Sequence, residues 1–204
     1  MNTPEATKKI VNTTKIILGS TSPFRRQLLE KLRLQFDVDS PDIDESHQPE
    51  ETPEQLVARL SIEKARAVAK KHKQALIIGS DQIACIGSQI LGKPGNRENA
   101  IKQLMLASGK KVTFYTGLCL YNSVTANTQV LCEPFHVHFR SLDQQQIERY
   151  LDAEEPYNCA GSFKSEGLGI ALFSRLEGDD PNSLIGLPLI RLISFLEKEG
   201  VYIP

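Results

Sequence analysis

The sequence predicts an α/β fold built on a mixed sheet. Three observations carry this expectation. A short apolar run at Ile16, Ile17 and Leu18 leads through a polar loop into a helical pattern, further amphipathic segments alternate with single β-type runs, and two long β-rich stretches at 111–121 and 129–140 are spaced to pair as an antiparallel hairpin. A strictly alternating βαβ barrel contains no such hairpin.

Taken in order, the first apolar run ends at Gly19, where the backbone can turn sharply. Ser22 is placed to cap a helix and Pro23 to fill its first position, with Leu28, Leu29 and Leu32 as the apolar face. Arg25 and Arg26 fall in the first turn, at the positive end of the helix dipole, where a cation is disfavoured by about 0.3–1 kcal/mol. An anion there offsets the cost. Loop N–H groups, the hydroxyls of Ser20, Thr21 and Ser22 and two guanidiniums make a site for a polyphosphate; the alternative is a pair of solvated arginines on a helix face. No G-x-x-x-x-G-K-[ST] motif is present, so this is not a P-loop.

Phe36 and Val38 suggest a short strand, followed by the acidic loop Asp42-Ile43-Asp44-Glu45. Thr52 then caps and Pro53 starts a helix through about Lys71, on which Leu56, Val57, Leu60, Ala65, Val68 and Ala69 recur at helical spacing and Lys64 rides beside Glu63. A β run covers residues 75–86, Gly92-Lys93-Pro94 marks a loop, and Asn96 to Ser108 reads as a helix stopped by Gly109. After the hairpin, Ser141 is placed to cap a helix running to about Asp152. The last quarter alternates glycine turns with apolar runs, treats 178–188 as a loop, and ends in a helix over about 189–198 with Gly200 beyond it.

Composition bounds the function. The chain has 204 residues, 40% hydrophobic and 24% charged, an ordinary globular balance. A formal net charge of −1 argues against wholesale nucleic-acid binding, so phosphate recognition has to come from local clusters of Lys and Arg. Four dispersed cysteines with no C-x-x-C spacing fit a reduced, cytoplasmic setting without zinc or disulfides. The first 15 residues lack an apolar core for a signal peptide, and no run of 18 apolar residues follows, so neither secretion nor a membrane span is expected. Residues 1–14 read as a flexible polar extension and 15–204 as a single domain.

Among single residues, Asp81 is the leading candidate for a catalytic carboxylate, since Ile77-Ile78 build a buried strand and Gly79-Ser80 are expected to bend the chain just before it. An aspartate bonded to its own turn is the simpler reading. Gln82 carries an amide that can donate to and accept from a base edge. Glu45 could join Asp81 on a hard divalent cation or stay wet in its loop. Lys93 and Lys164 sit in the glycine-flanked loops GKPG and AGSFKSEG, within reach of phosphates, although either alone is equally a solvated lysine. His136 and His138 share one strand face but have no third metal ligand nearby, and cross-strand packing accounts for them.

Together, S-T-S-P-F-R-R at 20–26, D-E at 44–45, E-K-A at 63–65, S-D-Q at 80–82, G-K-P at 92–94, T-G at 116–117, A-G-S-F-K-S-E-G at 160–167 and G-L-P-L at 186–189 resemble the Maf family of nucleoside triphosphate pyrophosphatases. The resemblance spans nearly everything from Lys15 to the last helix. It implies a two-lobed Maf/inosine-triphosphatase-like fold with a central cleft, often a homodimer, and a cytoplasmic enzyme that uses a divalent metal, Mg²⁺ or Mn²⁺, to hydrolyse a nucleotide to its monophosphate and pyrophosphate. Carried over residue by residue, it implies that Asp81 is the proton acceptor, that Ser20, Arg25, Arg26, Lys64, Lys93 and Lys164 hold phosphates, and that Glu45 and Asp81 bind the metal. The chemistry agrees, because attack on the α-phosphorus needs cations on the departing pyrophosphate and a base aligned with water.

Within that family, the branch acting on dTTP and UTP usually shows arginine, threonine and glutamine where this chain has Phe24, Gln82 and Glu166. The trio found here resembles the branch that hydrolyses 7-methyl-GTP, though that branch often carries tryptophan in place of Phe24. A guanine made cationic by N7 methylation favours an aromatic face such as Phe24 and a carboxylate such as Glu166, which can accept from N1–H and the 2-amino group. The competing readings are a dTTP/UTP pyrophosphatase, a nucleotide-binding regulator of septation that needs no catalysis, and a nucleotidyltransferase using the same phosphate loop.

Overall fold

The computed structural model describes residues 14–203. Apart from Thr14, the extension expected at the amino terminus lies outside the described residues. The chain runs β1 (Ile16–Gly19), α1 (Pro23–Glu30), β2 (Asp37–Asp39), α2 (Pro53–Ala69), β3 (Leu76–Ile86), β4 (Gln89–Leu91), α3 (Arg97–Ala107), β5 (Lys111–Asn122), β6 (Thr128–Phe139), α4 (Gln144–Glu154), two 3-10 turns (Ala160–Ser162 and Leu168–Leu172), β7 (Phe173–Glu177), α5 (Pro181–Ile185) and α6 (Leu189–Lys198). The strands form one mixed sheet of order β2-β1-β3-β5-β6-β7, with β4 paired to β3. β1 is parallel to β2 and β3, and the remaining ladders are antiparallel. The mixed-sheet α/β expectation is borne out.

Most elements follow from local chemistry. Ser22 caps α1 by accepting from the Arg25 N–H, and Pro23 opens the helix. α2 carries a reciprocal capping box between Thr52 and Gln55. The α1 helix stops at Glu30, two residues short of Leu32, which packs against the core from the following turn. Four expectations are corrected, three of them in the second half. α4 is capped by Asp143 rather than Ser141, because Asp143 and Gln146 form their own capping box. The segment 173–177 is an edge strand, and 181–185 within the expected loop is a short helix. Asp180 caps that helix through Asn182 N–H and also accepts from Ile190 N–H, so it ties α5 to the start of α6. Finally, β3 runs straight through Gly79 and Ser80 with no bend.

Side-chain alternation along the long strands divides the core. On one face, Ile16, Leu18, Leu76, Ile78, Leu118 and Leu120 pack under α1 and α6. On that same face, but at the other end of β3 and β5, Ala84, Phe114, Phe135, Val137 and Phe139 pack with α3 and α4. These are the two lobes. The opposite face, with Ile17, Ile77 and Cys119, is covered by α2 through Ala65, Val68 and Ala69. α2 lies unusually close to the sheet, since a Cβ at Gly79 would collide with the Ser61 carbonyl and one at Gly117 with the Val57 carbonyl. Two glycines on paired strands make that approach possible.

All four cysteines are free. Burial pushes the Cys85 thiol up to about 11 and those of Cys119 and Cys132 to about 12, so these three stay protonated. His136 bonds Thr113 Oγ1 across the β5–β6 pair and His138 faces Glu177, and among the described residues no group of three or more His, Cys, Asp or Glu converges. No helix of the described residues is long and apolar enough to cross a membrane.

Filling the α2–sheet contact should be costly. Gly117→Ala is expected to lose about 1–3 kcal/mol, the usual range for overpacking, read as a lower urea midpoint at constant slope. Gly92→Ala, whose Cβ meets open space, is expected to leave the midpoint unchanged.

Candidate active site

The site follows from a break in the edge of β3. β1 pairs with β3 up to Gly19↔Gly79, and β4 begins only at Leu91↔Ala84. The backbone edge from Ser80 to Ile83 therefore faces a gap rather than a strand. A cleft of about 780 Å³ opens there, lined by the β1–α1 loop, α2, the middle of β3, Lys93 and the loop 155–166. Because both faces of the strand reach the gap, successive residues serve different sides of it. Asp81 thus lies mid-strand, at the end of β1 rather than of its own strand, which replaces the turn position expected for it.

Asp81 points to the α2 face. It is 8% exposed, and its Oδ1 accepts from Lys64 Nζ at 2.6 Å. The same ammonium lies 3.0 Å from Glu45 Oε1, so a buried cation joins the two carboxylates that the sequence singled out. Ser61 Oγ accepts from the Asp81 N–H and donates to the Val57 carbonyl, so a helix hydroxyl holds the strand backbone at this point. Asp44, a second carboxylate of the acidic loop, is occupied locally by Ser46 N–H and Oγ, and this pulls its carboxyl below the usual range.

On the β1 side, Arg25 Nε donates to the Gly186 carbonyl at 2.8 Å, and its Nη1 reaches Ser20 Oγ at 3.4 Å. Burial lowers the pKa of this guanidinium from its ordinary value, while Asp81 and Glu45 nearby oppose the shift. Arg25 remains a cation. Arg26 differs. One residue further round the helix, it is exposed, pairs with Glu30 at 3.1 Å and does not line the cleft. Arg26 thus stands outside the cleft that gathers the other residues grouped with it, since consecutive helical residues diverge by about 100°.

Gln82 points to the other face. Its Nε2 donates to Thr116 Oγ1 at 2.9 Å, to the Ser183 carbonyl at 2.7 Å and to the Leu184 carbonyl at 3.1 Å. Thr116 Oγ1 also donates to the Ser183 carbonyl, and Ser80 Oγ donates to the Gly186 carbonyl. The amide nitrogen expected at a base edge is thus committed to α5, leaving the Gln82 carbonyl oxygen as the group available to the cleft. This latch of Ser80, Gln82, Thr116 and α5 was missed in the sequence, where 178–188 gave only turn signals.

The opposite wall is the loop 160–169. Phe163 makes edge-to-face contacts with Phe114, Phe139 and Phe173 at 4.8–5.6 Å, which fixes the loop's root in the second lobe. Lys164 Nζ donates to the Glu154 carbonyl at 2.6 Å while lining the cleft. Glu166 is exposed on the same wall, Phe24 is half-buried on the facing one, and Lys93 is exposed at the rim. Ser20, Phe24, Arg25, Glu45, Lys64, Asp81, Gln82, Lys93, Lys164 and Glu166 all line this one cleft.

The chain is similar to several known proteins. A relative from Alcanivorax borkumensis, named 7-methyl-GTP pyrophosphatase, is 62% identical over 192 residues, covering 94% of this chain and 98% of its own. Proteins of the same name from Colwellia psychrerythraea and Pseudomonas aeruginosa are 60% and 58% identical, covering 91% and 93% of this chain and 93% and 98% of theirs. Among solved structures, the Ham1 protein of Staphylococcus aureus superposes with a TM-score of 0.52 at 15% identity, covering 91% of this chain and all of that one, a likeness of fold alone. The model of the Maf-like protein family matches residues 15–199, so this chain belongs to the Maf family.

Proposed function

We propose that the chain is a nucleoside triphosphate pyrophosphatase that hydrolyses 7-methyl-GTP to 7-methyl-GMP and diphosphate. One observation carries the reading. The buried Asp81–Lys64 pair, joined at the surface by Glu45, and the pair Phe24 and Glu166 line a single cleft of nucleotide size. The names of relatives about 60% identical support the choice of base.

In the reaction proposed, Lys64 fixes Asp81 through Oδ1 and leaves Oδ2 to take the proton of an attacking water. A bond forms from the water oxygen to the α-phosphorus, the bridge to the β-phosphate breaks, and its electron pair leaves on diphosphate. Arg25, held in place by Gly186 and Ser20, and Lys93 and Lys164 on the facing wall supply positive charge where that leaving group grows. Phe24 offers its ring to a cationic guanine, and Glu166 accepts from the N–H groups of its Watson–Crick edge.

A divalent metal suits the same residues. Glu45 and Asp81 present hard oxygens to one point, now spanned by Lys64, and two carboxylates completed by phosphate oxygens and water are the donors Mg²⁺ favours. Such an ion would add charge stabilisation on the phosphates.

A nucleotide panel with Mg²⁺ or Mn²⁺ tests the substrate: 7-methyl-GTP is expected to turn over fastest, and faster hydrolysis of dTTP or UTP would sink the assignment. Asp81→Asn is expected to lower kcat by about 10²–10⁴-fold while nucleotide binding persists in calorimetric titration; retained turnover would remove Asp81 as the base. Lys64→Met strands a buried carboxylate and should cost about 3–5 kcal/mol. Adding Asp81→Asn to it should recover most of that loss in urea denaturation.

A further inference from the structure

Glu154, the last residue of α4, is not exposed to the cleft as a reader of the nucleotide, yet three parts of the loop opposite Asp81 converge on it. Its carbonyl accepts from Lys164 Nζ at 2.6 Å, and its carboxylate lies 3.5 Å from the same ammonium. Its Oε1 accepts from the Leu168 N–H at 2.9 Å. A Cβ on Gly167 would sit only 2.6 Å from that oxygen, so the backbone passes directly against the carboxylate. One turn earlier on α4, Tyr150 Oη accepts from the Lys164 N–H at 3.0 Å. Both ends of the segment 164–168 are therefore bound to α4, and Glu166 sits at its middle.

The chain reverses at this point because Glu155, the residue capping α4, adopts the left-handed region with φ 46°. The carbonyls of the last turn have no helical N–H to meet, and the Lys164 ammonium takes one of them at the negative end of the helix dipole. An ammonium has three protons, so the bond to Glu154 aims Lys164 without exhausting it. At 16% exposure the Glu154 carboxylate is shielded enough for its bond to the Leu168 N–H to hold shape.

We propose that Glu154 is a positioning residue: it clamps the segment 164–168 so that Lys164 and Glu166 face the nucleotide, and thereby sets affinity and selectivity for the base. The proposal rests on the pyrophosphatase reading above. It assigns Glu154 no contact with substrate, and because the Glu154 backbone carbonyl still holds Lys164 when the side chain is changed, charge at the leaving group and the chemistry at Asp81 should be indifferent to the carboxylate.

The experiment measures kcat and KM for 7-methyl-GTP and for GTP in Glu154→Ala, Glu154→Gln, Gly167→Ala and the double variant Glu154→Ala/Gly167→Ala. Losing the clamp is expected to raise KM for 7-methyl-GTP about tenfold, the scale of one hydrogen bond, to leave kcat within about twofold, and to shrink the preference over GTP. Glu154→Gln keeps an acceptor for Leu168 and should stay close to the parent. Gly167→Ala pushes the carboxylate aside and should copy Glu154→Ala, whereas the double variant should be no worse than Glu154→Ala alone, because the added methyl then has room. Unchanged KM and preference in both single variants, an equal fall in kcat for both nucleotides at constant KM, or additive effects in the double variant would each overturn the clamp. If the parent protein prefers dTTP or UTP, the substrate reading fails instead, and the clamp is scored on the KM of the preferred nucleotide.

Discussion

How closely α2 can lie on the sheet governs the rest of the cleft. With Cβ atoms at Gly79 and Gly117 the helix would have to lift away from β3 and β5, and Lys64 would no longer reach Asp81 at 2.6 Å. Nor would Ser61 Oγ meet the Asp81 N–H. The buried ion pair is thus a product of the backbone packing beside it, since Gly117 is the cross-strand partner of Asp81. This matters energetically, because a carboxylate 8% exposed is tolerable only with a partner at bonding distance.

The second constraint is the interrupted edge of β3. An unpaired stretch of strand ordinarily invites association with another chain. Here the gap is concave and flanked by β1 and β4, so Asp81, Gln82 and Ile83 line a cleft instead of a free edge. The lobes meet across it: α1, α2 and α6 gather on one end of the long strands, and α3 and α4 on the other.

Much of this was legible in the sequence. Ser22 with Pro23 and Thr52 with Pro53 announce their helices because capping is local, and the β5–β6 hairpin is announced by its length and β-rich composition. The site residues picked from those motifs, from Ser20 to Glu166, do line one cleft, Arg26 excepted. What was hidden depends on distant partners. Arg25 and Arg26 look equivalent in sequence, but only Arg25 finds the Gly186 carbonyl, 161 residues away. Gln82 looks like a free amide until α5 arrives to occupy its nitrogen, and α5 itself is too short to leave a periodic signal. Asp143 outcompetes Ser141 as a cap because Gln146, three residues on, completes the box.

The alternation of side chains along β3 has a consequence for how such a protein can change. Asp81 faces α2 and Gln82 faces α5, so neighbouring residues answer to different halves of the molecule. A substitution at 82 reworks its latch with α5 while the ion pair beneath α2 keeps its geometry. The two sides can therefore drift independently in descent: a lineage can reshape the α5 side of the cleft without disturbing the Lys64–Asp81 pair beneath α2.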